Sequence, residues 1–361
     1  MTEASRAAGA AGADNLLLGC IGLEAGERLA LICEDGGLGY YDDQVAAVVA
    51  ARAEKIGAQV ETVVAPLIQG PEDLPSAVAA AMAAADHTVF FHRLGDQIRF
   101  TEISVRGTVT MCYALDVDFL GSGFCTLPHE LMSEIKARLE GALGRARTWR
   151  ITCPLGTDVS GSMAAPIDDE PDDFTLGLFP EVTFRPVSCA DMSGRVAVAH
   201  WLMGTGTHAY EPFALMLDAP VLAEVDQGRI RGFTGRQDLA DAVDAHYRRV
   251  GGLFDLDRDV VHSWHAGINP QSYYSRPAVD DLERWGGVAF ANPRYLHFHT
   301  CGDYAPGEIA WSLFDASVWI DDEMFWRGGR LVWLDSPEIR DLAARYPGGD
   351  ALYRMREDIG I

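Results

Sequence analysis

The sequence predicts an α/β amino-terminal part, residues 15–147, followed by an α+β carboxy-terminal part, residues 148–361. Three observations carry that expectation. Up to residue 147, short apolar runs alternate with amphipathic helical segments, the pattern of a parallel or mixed sheet covered by helices. Beyond it, Gly, Pro and Asp punctuate many short apolar runs, and one long helix stands out among them. Of the 361 residues, 48% are hydrophobic, enough to fill one large domain or two of medium size.

The elements follow in order. Residues 1–14 are an Ala/Gly-rich lead-in that is expected to be disordered. At 28–33, RLALIC reads as a strand that ends in the turn-prone EDGGLG of 34–39. Asp42 can cap a helix over 43–56, whose apolar face carries Val45, Val48, Val49 and Ile56. Gly57 ends that helix. A strand at 59–65, an Ala-rich helix at 75–85 and strands at 88–92 and 109–115 come next. Residues 128–143 form an amphipathic helix with Leu131, Ile135, Leu139 and Leu143 on one face. In the second part, strands are expected at 149–155, 179–184, 195–201 and 221–225, and a helix at 237–250. Residues 308–320 and 330–334 are strand-like.

Charge narrows the function. The chain has 29 Lys and Arg against 53 Asp and Glu, a formal net charge of −24. Such a surface repels phosphate, which argues against nucleic acid as a partner and against a polybasic membrane anchor. No run approaches the roughly 18 apolar residues of a membrane span, and the amino terminus lacks a charged-then-apolar leader pattern. The seven cysteines form no C-x-x-C pair and are odd in number, so buried thiols in a reducing cytoplasm are expected rather than a disulfide framework. The expected partner is a small-molecule substrate, with self-association left open.

Histidines carry the chemical signal. His262 and His265 lie in VVHSWHAGINP, and His297 and His299 form an H-x-H in RYLHFHT. Residues two apart on a strand face the same way, so His297 and His299 can reach one metal. Asp303, Glu308, Asp315, Asp321, Asp322 and Glu323 follow. Two histidines and one carboxylate would make the facial triad of a non-haem iron site. The same side chains could hold a zinc that activates water. Each histidine alone reads more readily as a hydrogen-bonded core residue; the cluster as a whole, interleaved with Trp264 and Phe298, favours a cleft, because titratable groups are costly to bury without purpose. Gly156-Thr157-Asp158 reads as a turn, shaping a cleft or stabilised by its own side chains. The Gly-rich stretch 204–208 lacks the lysine of a phosphate loop, and no Gly-x-Ser-x-Gly elbow is present. The aromatic run from Trp311 to Trp333 reads as core and cleft wall, which would suit a flat substrate.

Several short segments, in order, resemble the aminopeptidase T-like superfamily of metallo-aminopeptidases and iron-dependent 2,5-dihydroxypyridine dioxygenases. They are RITCPLGTD at 150–158, LFPEV at 178–182, the small strand at 194–198 and GRIRGFTG at 228–235 with the helix after it. WHAGINP at 264–270 and the segment 314–329 complete the set, and GERLALICED at 26–35 matches more loosely. The resemblance implies an aminopeptidase T-like fold and, at Glu181, the first metal-binding glutamate of the peptidases. It also marks departures. The family's late His-x-Asp motif reads Leu313-Phe314-Asp315 here, so the Asp is kept and the His is lost. The earlier ligand position falls near Ser263, flanked by His262 and His265.

Of the two branches, the resemblance to the compact dioxygenases implies a non-haem iron oxygenase acting on a small aromatic or heteroaromatic substrate. In that reading His265, one or both of His297 and His299, and Asp315 supply the Fe(II) ligands, and a nearby histidine such as His262 moves protons. An aminopeptidase or amidohydrolase would instead use Glu181, Asp315 and histidines around zinc or cobalt. A metal-free binding or accessory biosynthetic protein that kept the fold is the third reading.

Overall fold

The computed structural model describes residues 3–68, 73–98, 105–163, 176–204 and 209–361. Among these residues the strands form two sheets. In the first part β1 (Arg28–Glu34), β2 (Gln59–Ala65), β3 (His87–Phe91) and β4 (Thr108–Cys112) alternate with α2 (Asp43–Ile56), α3 (Ser76–Ala84) and α4 (Leu94–Ile98). These strands pair in parallel in the order β2-β1-β3-β4. Asp42 caps α2 by accepting from the Gln44 amide, and Gly57 closes it with a left-handed φ of 103°, as the sequence indicates.

The lead-in is ordered from Glu3 onward, contrary to expectation. It forms α1 (Glu3–Asp14) and runs on into a wide turn at Asn15–Cys20. Small residues are the physical reason. Gly12 lets α1 sit directly on α5 (Val117–Gly121): a Cβ there would lie 1.8 Å from the Leu120 carbonyl oxygen. Asp14 then pairs with Arg52 on α2, and Leu16 and Leu17 are fully buried. The Ala/Gly composition that reads as disorder is what close helix packing requires.

After α5, the short α6 (Gly123–Thr126) and α7 (His129–Leu143) lead to the second sheet. It contains β5 (Thr148–Thr152), β6 (Asp158–Ser162), β8 (Val187–Ser188), β9 (Ser193–Met203), β10 (Ala214–Asp226), β11 (Arg229–Thr234) and β12 (Val261–Ala266). Further on come β13 (Tyr295–Cys301), β14 (Glu308–Phe314), β15 (Ser317–Ile320), β16 (Glu323–Arg327) and β17 (Arg330–Leu331). All of its pairings are antiparallel, in the order β17-β16-β15-β5-β6-β9-β14-β13-β12-β8, with β10 and β11 branching from β9. Between β6 and β8 the chain returns to the first sheet, where β7 (Gly177–Phe179) adds to β4 in parallel. The expected strand at 179–184 is therefore only an edge strand followed by extended chain. The expected run at 308–320 breaks at Asp315, where φ is 53°. Most of the expected strand at 330–334 is a 3-10 turn, Val332–Asp335, before α10 (Pro337–Ala343).

Two apolar cores result. One fills the α/β layer and takes in Trp201, Met203, Trp285 and Tyr295 from the second part. The other lies on the far face of the antiparallel sheet, under α7 and α8 (Gln237–Phe254). The parts are tied by α9 (Leu282–Ala289). Arg93, just past β3, pairs with the fully buried Glu34 side chain and with Glu283 of α9 at 2.9 Å. Arg284 of α9 donates to the carbonyls of Gly39 and Tyr40 and pairs with Asp116 at 2.8 Å. Five cysteines (Cys33, Cys112, Cys125, Cys189 and Cys301) are buried in these cores, the place of a small hydrophobe. Among the described residues, no helix is long and apolar enough to cross a membrane.

Two expectations about stability follow. Gly12→Ala should cost about 1–3 kcal/mol by overpacking, read as a lower denaturation midpoint; an unchanged midpoint would show that α1 does not pack as described. His246 of α8 is 5% exposed, and burial, aided by Arg249, lowers its pKa to about 4. A depressed histidine binds its proton more readily in the unfolded chain, so stability is lost as pH falls from about 6.5 toward about 4. Between pH 7 and pH 5 the loss from this residue should be about 2 kcal/mol. Urea midpoints for the parent and His246→Phe at both pH values test this; an equal drop in both would remove His246 as the cause.

Candidate metal centre

Register builds the centre. In the antiparallel ladder, His265 of β12 stands opposite His297 of β13, and Ser263 opposite His299. Directly opposed residues share a face, so all three imidazoles project from one side of the sheet. On the other side Trp264, Phe298 and Trp311 are fully buried and anchor these strands in the far core. The histidine face also carries Tyr295, whose ring stacks on His297 at 5.2 Å between centroids.

The three rings meet through Nε2. His265 Nε2 is 2.7 Å from His297 Nε2 and 3.1 Å from His299 Nε2. The three residues are 5–8% exposed, and ligand atoms of all three lie within 4.8 Å of one another. The outer nitrogens of two of the rings are committed elsewhere. His265 Nδ1 donates toward Thr183 Oγ1 at 3.1 Å and the Phe184 carbonyl at 3.3 Å. The Thr183 hydroxyl can accept because its own proton goes to the Ala266 carbonyl at 3.0 Å. His299 Nδ1 donates to the Asp303 carbonyl at 3.0 Å. Carbonyls only accept, so both rings carry their proton on Nδ1 and turn an Nε2 lone pair inward. The inward lone pairs of His265 and His299 face each other at 3.1 Å and repel, a contact relieved by a cation between them, either a shared proton or a metal ion. The donor set therefore fits a divalent transition metal: three imidazoles whose Nε2 atoms converge.

One carboxylate stands beside the cluster. Glu308 is 1% exposed, and its Oε1 lies 3.1 Å from His299 Nδ1. Burial lowers the pKa of His299, and the Glu308 carboxylate with Asp303 more than offsets this, leaving it raised.

The other expected site residues lie elsewhere. Asp315, expected as a ligand, sits in the turn after β14, where Arg294 grips both its oxygens at 2.7 and 2.8 Å. Ser312 pairs with His297, so Asp315 is three residues further on, about 10 Å at strand spacing. His262, expected to move protons, lies where the β12 register shifts, and its Nε2 donates to the Cys301 carbonyl at 3.0 Å. Glu181, expected as a peptidase ligand or catalytic group, accepts from Ser133 Oγ and Lys136 Nζ, both at 3.2 Å. That places it against α7, two residues before the Thr183 that holds His265. Glu308 is one of the acidic residues that follow the histidines, and its sequence context marks no role for it. Hairpin arithmetic points to it: Cys301 pairs with Glu308, which puts the carboxylate on the face of His299, two residues from its partner Ala310. Thr157 of the Gly-Thr-Asp segment is buried and accepts from the Ala197 amide at 2.9 Å, a structural turn. Residues 205–208 of the Gly-rich stretch lie outside the described residues.

The architecture has solved counterparts. The chain superposes on 2,5-dihydroxypyridine dioxygenase from Pseudomonas putida KT2440 with a TM-score of 0.61 at 14% identity, covering 92% of this chain and 98% of that one. Wild-type AmpT from Thermus thermophilus gives a TM-score of 0.51 at 12% identity, covering 90% and 99%. At these identities the likeness is one of fold, and it is the aminopeptidase T-like fold implied by the order of the sequence motifs. No family model and no curated protein sequence matches the chain.

Metal content separates the residues that meet from those that do not. Alanine at His265, His297 or His299 should each abolish equimolar uptake of zinc or iron by the purified protein. Asp315→Asn should leave uptake intact. Loss of metal in Asp315→Asn, with the fold preserved, would return that aspartate to the ligand set.

Proposed function

We propose that this chain is a metal-dependent enzyme whose ion is held by His265, His297 and His299, and that it is a non-haem iron oxygenase of a small aromatic or heteroaromatic compound. The convergence of three Nε2 atoms on one face of the sheet carries the reading. The dioxygenase among the fold neighbours supports the oxygenase class. An iron(II) ion bound by imidazoles supplies redox chemistry and open coordination positions.

The chain's own residues do the rest. Thr183 and the Phe184 carbonyl orient His265, and the Asp303 carbonyl orients His299, so neither ring has to reorganise when an ion enters. Tyr295 covers one face of His297, and its hydroxyl is held by Ser312 at 3.1 Å. Trp285 stands against Tyr295 at 5.2 Å, and Phe314 at 5.5 Å. These rings exclude water and offer the flat apolar surroundings that a ring substrate needs.

A hydrolytic reading has one observation in its favour. Three histidines without a ligating carboxylate are also the ligands of a zinc that activates water. Against a two-metal peptidase, Glu181 is occupied by Lys136 and Ser133.

The test is anaerobic loading with one equivalent of iron(II), followed by oxygen-uptake measurements on a panel of hydroxylated pyridines and dihydroxybenzenes. Uptake should depend on the ring compound and vanish in His297→Ala. Anaerobic cleavage of aminoacyl chromogenic substrates by the zinc-loaded protein, with no oxygen uptake from the iron-loaded one, would replace the oxygenase with the hydrolase.

A further inference from the structure

We infer that Glu308 is the carboxylate of this metal centre, and that it acts from behind His299 rather than as a ligand. The inference rests on the three-histidine reading above and adds to it a charged residue that no sequence motif marked.

Position is the first argument. Glu308 opens β14, and the Tyr210 hydroxyl holds its backbone carbonyl at 2.8 Å. Its side chain leaves the strand on the histidine face and ends 3.1 Å from His299 Nδ1. An imidazole is rigid, and its two nitrogens point in different directions. His299 turns Nε2 toward His265 and Nδ1 toward Glu308 and Asp303. A carboxylate on the Nδ1 side therefore touches the ion's ligand and not the ion.

Energetics is the second argument. A carboxylate that is 1% exposed loses nearly all of its hydration, a cost that must be offset by a positive counterpart. His299 Nδ1 faces it at 3.1 Å, and the ring becomes that counterpart when its Nε2 takes up a proton or an ion. When a divalent ion takes the inward lone pair, the ring draws positive charge through Nε2, and the Nδ1 proton becomes a stronger donor to its acceptors. Glu308 then offsets part of the dication's charge through the ring. Three neutral imidazoles bring no negative charge of their own, and Glu308 supplies an anionic contribution beside one of them. Outer partners of this kind change metal affinity by about 10–100-fold.

The experiment uses the full chain stripped of metal, with Zn(II) and Co(II) as oxygen-stable probes titrated against a chromophoric chelator. Glu308→Gln keeps size and hydrogen bonding while removing the charge. It should bind both ions about 10–100-fold more weakly, with the visible bands of the Co(II) form unmoved, because the three ligands are unchanged. Glu308→Asp should recover part of the affinity. Asp322→Asn, an exposed acid, should bind like the parent and so controls for net charge. Equal affinity of Glu308→Gln and parent would overturn the inference. A shifted Co(II) spectrum in Glu308→Gln would overturn it too, by making Glu308 a ligand. If Glu308→Gln fails to fold, Glu308→Ala carries the test, and parent-like affinity there overturns the proposal. A parent chain that takes up neither ion sinks the three-histidine reading itself, an outcome distinct from all the others.

Discussion

Everything at the candidate centre depends on the register of three neighbouring strands. Side chains on a strand alternate between faces, so sliding β12 by one residue against β13 would turn His265 into the far core and bring Trp264 to the metal face. Trp264, Phe298 and Trp311 prevent that slip. Each is fully buried, and none could exchange places with a histidine without placing an imidazole in apolar packing. The aromatic residues interleaved with the histidines hold the register, and the register holds the centre.

That division of labour explains what could be read from the sequence. Helix caps, the helical face at 131–143 and most strands of both parts are local signals, carried by residues within one turn or one run. The same-face logic of His297 and His299 is local too. Glu308 was harder to place, because its role comes from pairing across a hairpin whose length and turn are set by residues 302–307. Asp315 was expected from a motif whose histidine is missing. In the structure Arg294 claims that aspartate, and no spacing rule anticipates a partner 21 residues away. The lead-in misled for another reason: Ala and Gly lower the helical signal of a segment, yet they permit contact with the Leu120 backbone that larger residues would block.

The two acids near β14 show how a fold can rearrange a site while keeping its framework. Glu308 opens the seven-residue β14, Asp315 directly follows its last residue, and the two face different partners. A centre built on His299 draws on the first; one built on the far end would draw on the second. The three-imidazole arrangement, with the carboxylate behind a ring, differs from the two-histidine, one-carboxylate set expected from sequence. It leaves the ligand shell without formal charge, which sets it electrostatically apart from a facial triad.

The return of β7 to the parallel sheet has a consequence for how the molecule assembles. The fifth strand of that sheet comes from residues 177–179, after β5 and β6 of the other sheet have already been made. A ribosome that has released only the first 147 residues has delivered a sheet with β4 as an unpaired edge. Its completion must wait for a crossing segment and for α9, which supplies Glu283 to Arg93. Parallel pairings between distant segments close slowly, because loop entropy is spent before the contacts form. Folding of the two layers is thus a shared event late in synthesis, and the histidine triad takes shape only once β12 to β14 have emerged.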